Sequence, residues 1–307
     1  MFAAPAIIET EVFAALPAAF RQPRRTAWSD ANRGGQTLHS FLEGPAFDRD
    51  GDLYVTDIPY GRIFRVSAAG VFTQVAEYDG EPNGLKIHRD GRIFITDYRH
   101  GIMLLDPASG QVTPLLERRW SERFKGVNDL FFTANGDLYF TDQGQTGLHD
   151  PTGRVYRYTP AGRLDLLTDT LPSPNGIVAT PDESALLIAV TRGNAIWRLP
   201  LLADGSTTKV GLFIQLSGSL AGPDGLAMDE AGNLAVAHAG LGAVWLFDRL
   251  GQPLYRVRSC AGLLTTNLAY GGADGRTLYI TESESGSILR AVMPVAGRHM
   301  FSHLPAG

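Results

Sequence analysis

Residues 42–57 read LEGPAFDRDGDLYVTD, and stretches of this kind recur along the chain. The stretch opens with the carboxylate Glu43, runs through a short apolar segment, turns at Asp50-Gly51 and ends an apolar run at Thr56-Asp57. Two apolar runs separated by an Asp-Gly turn are typical of a β-hairpin. The stretch therefore predicts two antiparallel strands joined by a tight turn.

Five later stretches have the same layout. Together with the first, they begin at the opening residues Glu43, Asn83, Asn128, Asn175, Asp224 and Asn267. Successive opening residues are 40 to 49 positions apart, and in four copies the second run ends 14 residues after the opening residue. A period in this range, with hairpin turns between β-rich runs, is typical of propeller blades.

Each copy continues into two further strand-like runs, such as residues 62–66 and 71–75 after the first copy. Six copies of four strands predict an all-β fold, a six-bladed β-propeller in which residues 1–307 form one domain. A closed ring needs an outer strand for the sixth blade, because an unpaired edge exposes backbone donors and acceptors. We expect the N-terminal run at residues 7–13 to supply it, and residues 299–304 are the competing candidate.

The composition limits which binding partners and which cellular compartment we expect for this protein. The chain is 44% hydrophobic, which is enough for a large core, and its net charge of -5 gives no basic footprint for nucleic acid or anionic membrane. It contains no apolar run of about 18 residues, so no membrane span is expected. The N-terminus lacks the basic region of a signal peptide, and Cys260 is the sole cysteine. These features predict a cytoplasmic protein without an intrachain disulfide.

The opening residues predict a metal site. The first strand of a propeller blade lines the central axis, so the six opening residues should ring one mouth of the channel. Two carboxylates and several amide oxygens form a ligand set that suits one hard divalent cation, Ca²⁺ above all, with Mg²⁺, Mn²⁺, Fe²⁺ and Zn²⁺ left open. Ordinary turn chemistry is the alternative, since Pro-Asn-Gly and Pro-Asp-Gly are common turn sequences. Glu43 is the opening residue that turn chemistry does not explain, because Glu is a poor turn former.

Four motifs carry a family resemblance. They are Glu43-Gly44-Pro45, Asn128-Asp129-Leu130, Pro174-Asn175-Gly176 and Pro223-Asp224-Gly225. With them, residues 42–290 resemble the senescence-marker-protein/gluconolactonase/luciferin-regenerating-enzyme family of six-bladed propellers, which includes regucalcin. The resemblance implies one divalent metal held by Glu43, Asn175 and Asp224. It implies that Asn128 contacts either the metal or the substrate.

The resemblance also implies a reaction, the hydrolysis of lactones, commonly sugar lactones, to hydroxy acids. Asp224 is expected to be the catalytic residue that orients or deprotonates the attacking water, since it can reach both metal and water. Lys125, Tyr98 and Arg192 are expected to bind substrate beside Asn128. In some sugar-lactone members an Arg that binds sugar hydroxyls stands two residues before the third-blade Asn, and here that position is Gly126.

Two other functions remain open. A related branch, diisopropyl fluorophosphatase, hydrolyses organophosphates at a similar calcium site, so a phosphotriester or other ester hydrolase is the first alternative. A non-enzymatic propeller that binds calcium or protein is the second, because one fold hosts many activities. The lactone and the oligomeric state stay undetermined. His238 stands where other copies carry Asp or Glu, and we expect it to make a structural hydrogen bond.

Overall fold

The computed structural model describes residues 4–304, and nearly all regular structure in this range is β-strand. Six antiparallel sheets follow one another along the chain, and each inner strand contacts the inner strands of the two neighbouring sheets, so that the sheets close into a ring. The predicted six-bladed β-propeller is therefore confirmed. We number the blades 1 to 6 in chain order from Leu42.

The strands of each blade run from the channel outwards. The inner strands are Leu42–Phe47, Pro82–Ile87, Val127–Phe132, Pro174–Ala179, Gly222–Met228 and Thr265–Gly271. The second strands are Leu53–Asp57, Ile93–Asp97, Leu138–Asp142, Ala185–Val190, Leu234–Ala239 and Thr277–Glu282. The third strands are Arg62–Val66, Gly101–Asp106, Gly153–Tyr158, Ala195–Pro200, Ala243–Phe247 and Ser287–Val292. The outer strands are Phe72–Glu77, Gln111–Leu116, Leu164–Leu171, Gly211–Gln215, Pro253–Arg258 and, for blade 6, Glu11–Ala15.

Other elements in the described part of the chain are short. Arg118–Arg119 pairs with Glu122–Arg123 as a two-stranded ribbon between blades 2 and 3. The α-helix Ala27–Asn32 begins with a capping box, in which the Thr26 hydroxyl accepts from the Ser29 backbone and the Ser29 hydroxyl accepts from the Thr26 backbone. The 3₁₀ helices are Ala18–Phe20, Ile58–Tyr60, Thr191–Gly193 and Phe301–His303. None of the helices described between residues 4 and 304 is long and apolar enough to cross a membrane.

The N-terminal segment closes the ring, as predicted, but in two steps. Glu11–Ala15 pairs antiparallel with the third strand of blade 6 and becomes its outer strand. Ala6–Glu9 lies instead on blade 5, where it pairs in parallel with Pro253–Arg258 as a fifth strand. Residues 299–304 do not form a blade strand, because they end in the 3₁₀ helix Phe301–His303. The single strand predicted at residues 7–13 is therefore two strands, and only Glu11–Ala15 belongs to blade 6.

The core lies between neighbouring blades. Inner and second strands are almost wholly buried because each is covered on both faces by adjacent blades. The second strands accordingly consist mainly of apolar residues, as in Ala185–Val190. One cluster joins Leu42 and Phe64 of blade 1 to Tyr279 and Ile288 of blade 6. Burial of such side chains stabilises the fold by about 1.5–3 kcal/mol each. Blade packing therefore holds the inner strands in fixed positions around the channel.

Candidate active site at one mouth of the channel

The six opening residues lie at the starts of the inner strands and so at one end of the channel, which we call the site mouth. Antiparallel pairing brings the ends of the second strands to the same mouth: Leu42 pairs with Asp57, and Val127 pairs with Asp142. Residues that follow second strands can therefore reach the opening residues.

A β-bulge accompanies each opening residue. The register of every inner strand shifts at this point, as between Glu43 and Ala46 or between Pro174 and Ile177. A bulge re-aims side chains that a regular strand would send to alternating faces. Gly44 permits the bulge in blade 1: its φ is +54°, and a Cβ there would lie 2.4 Å from the carbonyl oxygen of Asn83 in blade 2. Glycine after the opening residue thus allows neighbouring inner strands to approach closely.

Threonines of the second strands tie neighbouring blades together. The hydroxyl of Thr56 donates to the carbonyl of Asn83 at 2.6 Å, and that of Thr141 donates to the carbonyl of Asn175 at 2.8 Å. The backbone of each acceptor opening residue is therefore held by the blade before it. Thr56 and Thr141, which lie at the ends of second strands, therefore position the backbone of the site.

Glu43 is buried, with 3% of its surface exposed. One carboxylate oxygen, Oε2, accepts from the Gly44 amide at 2.8 Å and from Asn267 Nδ2 at 2.9 Å. Burial raises the pKa of the Glu43 carboxyl, and the hydrogen bonds from Gly44 and Asn267 offset part of that rise. Because both of these bonds fall on Oε2, the other oxygen is the one available to a ligand.

Asp224 faces the same mouth from blade 5 and is partly exposed. Burial among protein atoms raises the pKa of its carboxyl well above the usual value, and the negative charges of Glu43 and Asp129 raise it further. The nearby Asn175 amide and the charge of Arg192 lower the pKa of Asp224 in part. The structure therefore brings Glu43, Asn175 and Asp224 together although their strands belong to blades 1, 4 and 5.

The side chain of Asn128 is held by a row of hydrogen bonds through Gln143 to Ser173. Its Nδ2 donates to Gln143 Oε1 at 2.8 Å, and Gln143 Nε2 donates to the Ser173 hydroxyl at 2.9 Å. Because the amide nitrogen of Asn128 is committed to Gln143, its oxygen is the atom left for a metal or a substrate. Gln143 follows the second strand of blade 3.

Asp129, Asn267 and Lys86 form a network that the sequence did not assign. Asn267 Nδ2 lies 3.5 Å from Asp129 Oδ2 as well as 2.9 Å from Glu43. Lys86 Nζ lies 3.9 Å from the other carboxylate oxygen of Asp129, Oδ1. Burial raises the pKa of the Asp129 carboxyl, and Lys86 lowers it. The available sequence signal was the Asp after Asn128, which replaces the Gly found after Asn83, Asn175 and Asp224.

The donor set fits a hard divalent cation. Three carboxylates, on Glu43, Asp129 and Asp224, lie close enough for their charges to interact. A cation between Glu43 and Asp224 would offset the repulsion that raises their pKa values. Among residues 4–304, no group of three or more His, Cys, Asp or Glu side chains is arranged to hold a metal unaided. A metal here would therefore require amide oxygens, which Asn175 and Asn128 can supply.

Comparison with known proteins identifies the family of this chain. Residues 41–284 match the model of the SMP-30/gluconolactonase/LRE-like region. The chain belongs to this family. A gluconolactonase from Zymomonas mobilis is 30% identical over 298 residues, covering 86% of this chain and 83% of its own. A lactonase, drp35, from Staphylococcus epidermidis is 30% identical and covers 79% and 74% respectively. These relatives confirm the expectation of an enzyme related to lactonases.

Solved structures of family members superpose on the whole ring. A gluconolactonase from Xanthomonas campestris has a TM-score of 0.73 at 25% identity, covering 92% of this chain and 99% of its own. The calcium-binding protein regucalcin from Agrobacterium tumefaciens has a TM-score of 0.77 at 23% identity, covering 97% and 98%. The similarity to regucalcin shows that the two chains share a fold.

Gly126, the position at which the resemblance implies an Arg in some sugar-lactone members, lies against the ring of Tyr98. Gly126 has φ +151°, and a Cβ there would lie 2.5 Å from Cε2 of the Tyr98 ring. An Arg at this position would collide with Tyr98. The Tyr98 hydroxyl accepts from Gln145 Nε2 at 2.7 Å, and the same nitrogen donates to Asn32 Oδ1 at 3.0 Å. The helix Ala27–Asn32 thus reaches blades 2 and 3 at the site mouth.

The other two expected substrate-binding residues differ in position. Arg192, on the 3₁₀ helix Thr191–Gly193, is exposed and close enough to Asp224 to lower the pKa of that carboxyl. Lys125 is exposed as well, but its Nζ donates to the Thr152 hydroxyl at 2.5 Å. Arg192 is therefore the cation near Asp224, whereas Lys125 is engaged with the loop before the third strand of blade 3.

His238 has structural partners on both ring nitrogens. Trp245 Nε1 donates to Nδ1 at 3.1 Å, and Nε2 lies 3.1 Å from Asn194 Oδ1. Because an indole nitrogen only donates, Nδ1 must be the unprotonated nitrogen. Burial, with a contribution from Arg256, lowers the pKa of His238 to about 4. The ring is thus neutral near pH 7 and joins blade 5 to blade 4.

Proposed function

We propose that the protein opens a lactone ring to the hydroxy acid at the site mouth, with one divalent metal held by Glu43, Asn175 and Asp224. The observation that carries this proposal is the approach of the Glu43 and Asp224 carboxylates, from blades 1 and 5, with raised pKa values. Two such carboxylates lower the stability of the fold unless a cation binds between them, since burial of like charges is destabilising. The lactonase relatives supply the reaction class.

The ligands are oxygen atoms already oriented by other groups. Glu43 offers the oxygen that Gly44 and Asn267 leave, and Asn175 is held through its backbone carbonyl, which accepts from the Thr141 hydroxyl. Ca²⁺ is the ion that such a set suits best, because carboxylate and amide oxygens are its usual ligands. When bound, the cation supplies Lewis acidity that polarises the lactone carbonyl.

Asp224 is the residue we assign to proton transfer. Its carboxylate accepts a proton from the water whose oxygen attacks the carbonyl carbon. The bond between that carbon and the ring oxygen then breaks, and the ring oxygen takes up the proton that Asp224 received, which gives the hydroxyl of the product and restores the Asp224 carboxylate. Asp224 suits this role because its carboxylate is partly exposed at the site mouth, where it can both hold the metal and reach the attacking water.

Substrate is bound by groups around the metal ligands. The Asn128 amide oxygen can accept from a substrate hydroxyl, and Arg192 can donate to oxygens of the substrate beside Asp224. Tyr98 occupies the space over Gly126 and presents an aromatic edge and a hydroxyl. Lys125 takes part only if it leaves Thr152. A site with Tyr98 in place of an Arg favours a less hydroxylated lactone.

A substrate panel with metal control tests the proposal. The purified protein is assayed with gluconolactone, shorter γ- and δ-lactones and a phosphotriester, before and after metal removal with EDTA and with Ca²⁺ restored. We expect lactone hydrolysis that EDTA abolishes and added metal restores. Turnover that survives rigorous metal removal would refute metal dependence. Faster hydrolysis of the phosphotriester would favour the alternative reaction, and metal binding without turnover would favour a binding protein.

A further inference from the structure

Ser173 adopts a backbone conformation that serine rarely takes. It directly precedes the inner strand Pro174–Ala179, has a φ of +68° and is buried, with 4% of its surface exposed. A residue with a Cβ is strained at such a φ, whereas glycine is not. Strained residues of this kind cluster at functional sites. What glycine would lack at this position is the hydroxyl, and the hydroxyl has a partner in the site.

The chain around Ser173 leaves little room for relaxation. Pro172 and Pro174 flank it, and each proline ring fixes the φ of its own residue. The Ser173 amide donates to the Thr146 hydroxyl at 3.1 Å, and its carbonyl accepts from the Thr191 amide at 2.9 Å. These bonds tie Ser173 to a loop of blade 3 and to the segment after the second strand of blade 4. The direction in which the Ser173 side chain points is therefore fixed by its backbone.

The Ser173 hydroxyl ends the row of hydrogen bonds that begins at Asn128. It accepts from Gln143 Nε2 at 2.9 Å, which turns Gln143 Oε1 toward Asn128 Nδ2 at 2.8 Å. The Gln143 backbone is held as well, because its carbonyl accepts from the Thr146 hydroxyl at 2.6 Å. An amide side chain can present either its oxygen or its nitrogen, and its partners decide which. Ser173 therefore sets the orientation of Gln143 and, through it, the atom that Asn128 presents to the site.

Ser173 is also linked to the strand that carries Asp224. Thr191, whose amide donates to the Ser173 carbonyl, donates through its hydroxyl to the Pro223 carbonyl at 2.8 Å. Pro223 directly precedes Asp224, and Ser173 stands two residues before Asn175. One residue thus connects the row of hydrogen bonds from blade 3 with the proposed metal ligands of blades 4 and 5.

We propose that Ser173 is a positioning residue of the active site, whose hydroxyl holds the Gln143 amide so that the Asn128 oxygen faces the centre of the site. The inference rests on the lactonase reaction proposed above. Without the hydroxyl, Gln143 Nε2 loses its acceptor, and the Asn128 amide is free to turn its nitrogen toward the site. An amide nitrogen only donates, so this change weakens binding of any cation or substrate hydroxyl at Asn128.

Two substitutions separate the hydroxyl from the backbone strain. Ser173→Gly removes the hydroxyl and relieves the strain, whereas Ser173→Ala removes the hydroxyl and keeps the strain. We expect kcat/KM for a lactone to fall about tenfold in both variants, while Ser173→Ala melts at a lower temperature than Ser173→Gly. Activity that followed the melting temperature, with Ser173→Gly close to the wild type, would overturn the proposal because the role of Ser173 would then be structural.

Ser219→Gly is the matched control. Ser219 also has a positive φ, +80°, in the segment before an inner strand, that of blade 5. Its hydroxyl bonds to backbone groups, since it accepts from the Ala221 amide and donates to the Ala239 carbonyl. We expect Ser219→Gly to keep the kcat and KM of the wild type, because no side chain of the site depends on this hydroxyl.

A double-variant cycle tests the route through Gln143. Ser173→Gly should add no further loss of kcat/KM to Gln143→Met, because both substitutions interrupt the same row of hydrogen bonds. Losses that multiply in the double variant would overturn the proposal. Ca²⁺ affinity that falls in parallel with kcat/KM assigns the Asn128 oxygen to the metal, and a raised KM at unchanged Ca²⁺ affinity assigns it to the substrate.

Crystal structures of the wild type and Ser173→Gly test the same claim without a substrate. The wild type should keep Gln143 bonded to Asn128, and the variant should show Gln143 turned away. An unchanged Gln143 in Ser173→Gly would overturn the proposal. If the wild type neither hydrolyses lactones nor binds Ca²⁺, the proposed reaction fails, and these two structures alone decide the role of Ser173.

Discussion

Asn267 Nδ2 lies 2.9 Å from Glu43 Oε2, so the last blade of the ring fixes the carboxylate of the first. The same nitrogen lies 3.5 Å from Asp129 Oδ2 of blade 3. One amide thus restrains two buried carboxylates from blades 1 and 3. Groups that orient metal ligands in this way commonly affect metal affinity or activity by about 10- to 100-fold.

Replacing Asn267 with Leu should therefore impair the site while keeping side-chain volume. We expect Ca²⁺ affinity and kcat/KM for a lactone to fall by about 10- to 100-fold, because Glu43 and Asp129 lose a shared donor. Metal titration by calorimetry and steady-state kinetics provide the measurement. Asn233→Ala, in a blade 5 turn, is the control. Wild-type metal affinity in Asn267→Leu would show that the amide plays no part in positioning Glu43.

Gly126→Ala should destabilise the protein by about 1–3 kcal/mol, since φ +151° strains a residue with a Cβ and the Tyr98 ring lies in its path. The double variant Gly126→Ala/Tyr98→Ala should recover part of the loss. Urea unfolding measures both. Gly211→Ala is the control, because nothing lies within 4 Å of the added Cβ. If Gly126→Ala were as mild as Gly211→Ala, the contact with Tyr98 would not explain the missing Arg.

The N-terminal strands can be tested by truncation. Removing residues 1–10 deletes the added strand of blade 5 and should lower Tm by a few degrees. Removing residues 1–15 also deletes the outer strand of blade 6 and leaves Ser287–Val292 as an open edge, so we expect a loss of about 10 °C and aggregation. Circular dichroism melting curves distinguish the two. Equal melting of both truncated chains would contradict closure by Glu11–Ala15.

The repeat made most of the fold predictable. Opening residues, Asp-Gly turns and Thr-Asp strand ends recur because every blade packs its inner and second strands against two neighbouring blades in the same way. The division of the N-terminal run between blades 5 and 6 was not predictable, since Thr10 breaks the strand through a tertiary contact with the Arg258 carbonyl at 2.9 Å. Sequence reasoning predicted the approach of Glu43 and Asp224. It missed Asn267 as a donor to Glu43 and Lys86 beside Asp129, because both contacts join neighbouring blades through side-chain conformations that the repeated sequence pattern does not specify.

His238 predicts a pH dependence of stability. Its folded pKa of about 4 lies below the unfolded value of 6.5, so the unfolded chain binds more protons between these pH values. Stability should fall as pH drops from 6.5 to 4, by about 3 kcal/mol from this residue. Urea unfolding at pH 7 and pH 4.5 should show a smaller difference in His238→Gln than in wild type. An unchanged difference would mean that His238 does not titrate with folding.

The central claim is that Glu43 and Asp224 hold the metal that the reaction needs. The most direct measurement is lactone hydrolysis and Ca²⁺ binding by wild type, Glu43→Gln and Asp224→Asn, with Asp274→Asn as the carboxylate control. We predict that kcat/KM and metal affinity fall at least about 100-fold in both site variants and stay unchanged in the control. Full activity and metal binding in both Glu43→Gln and Asp224→Asn would contradict the account.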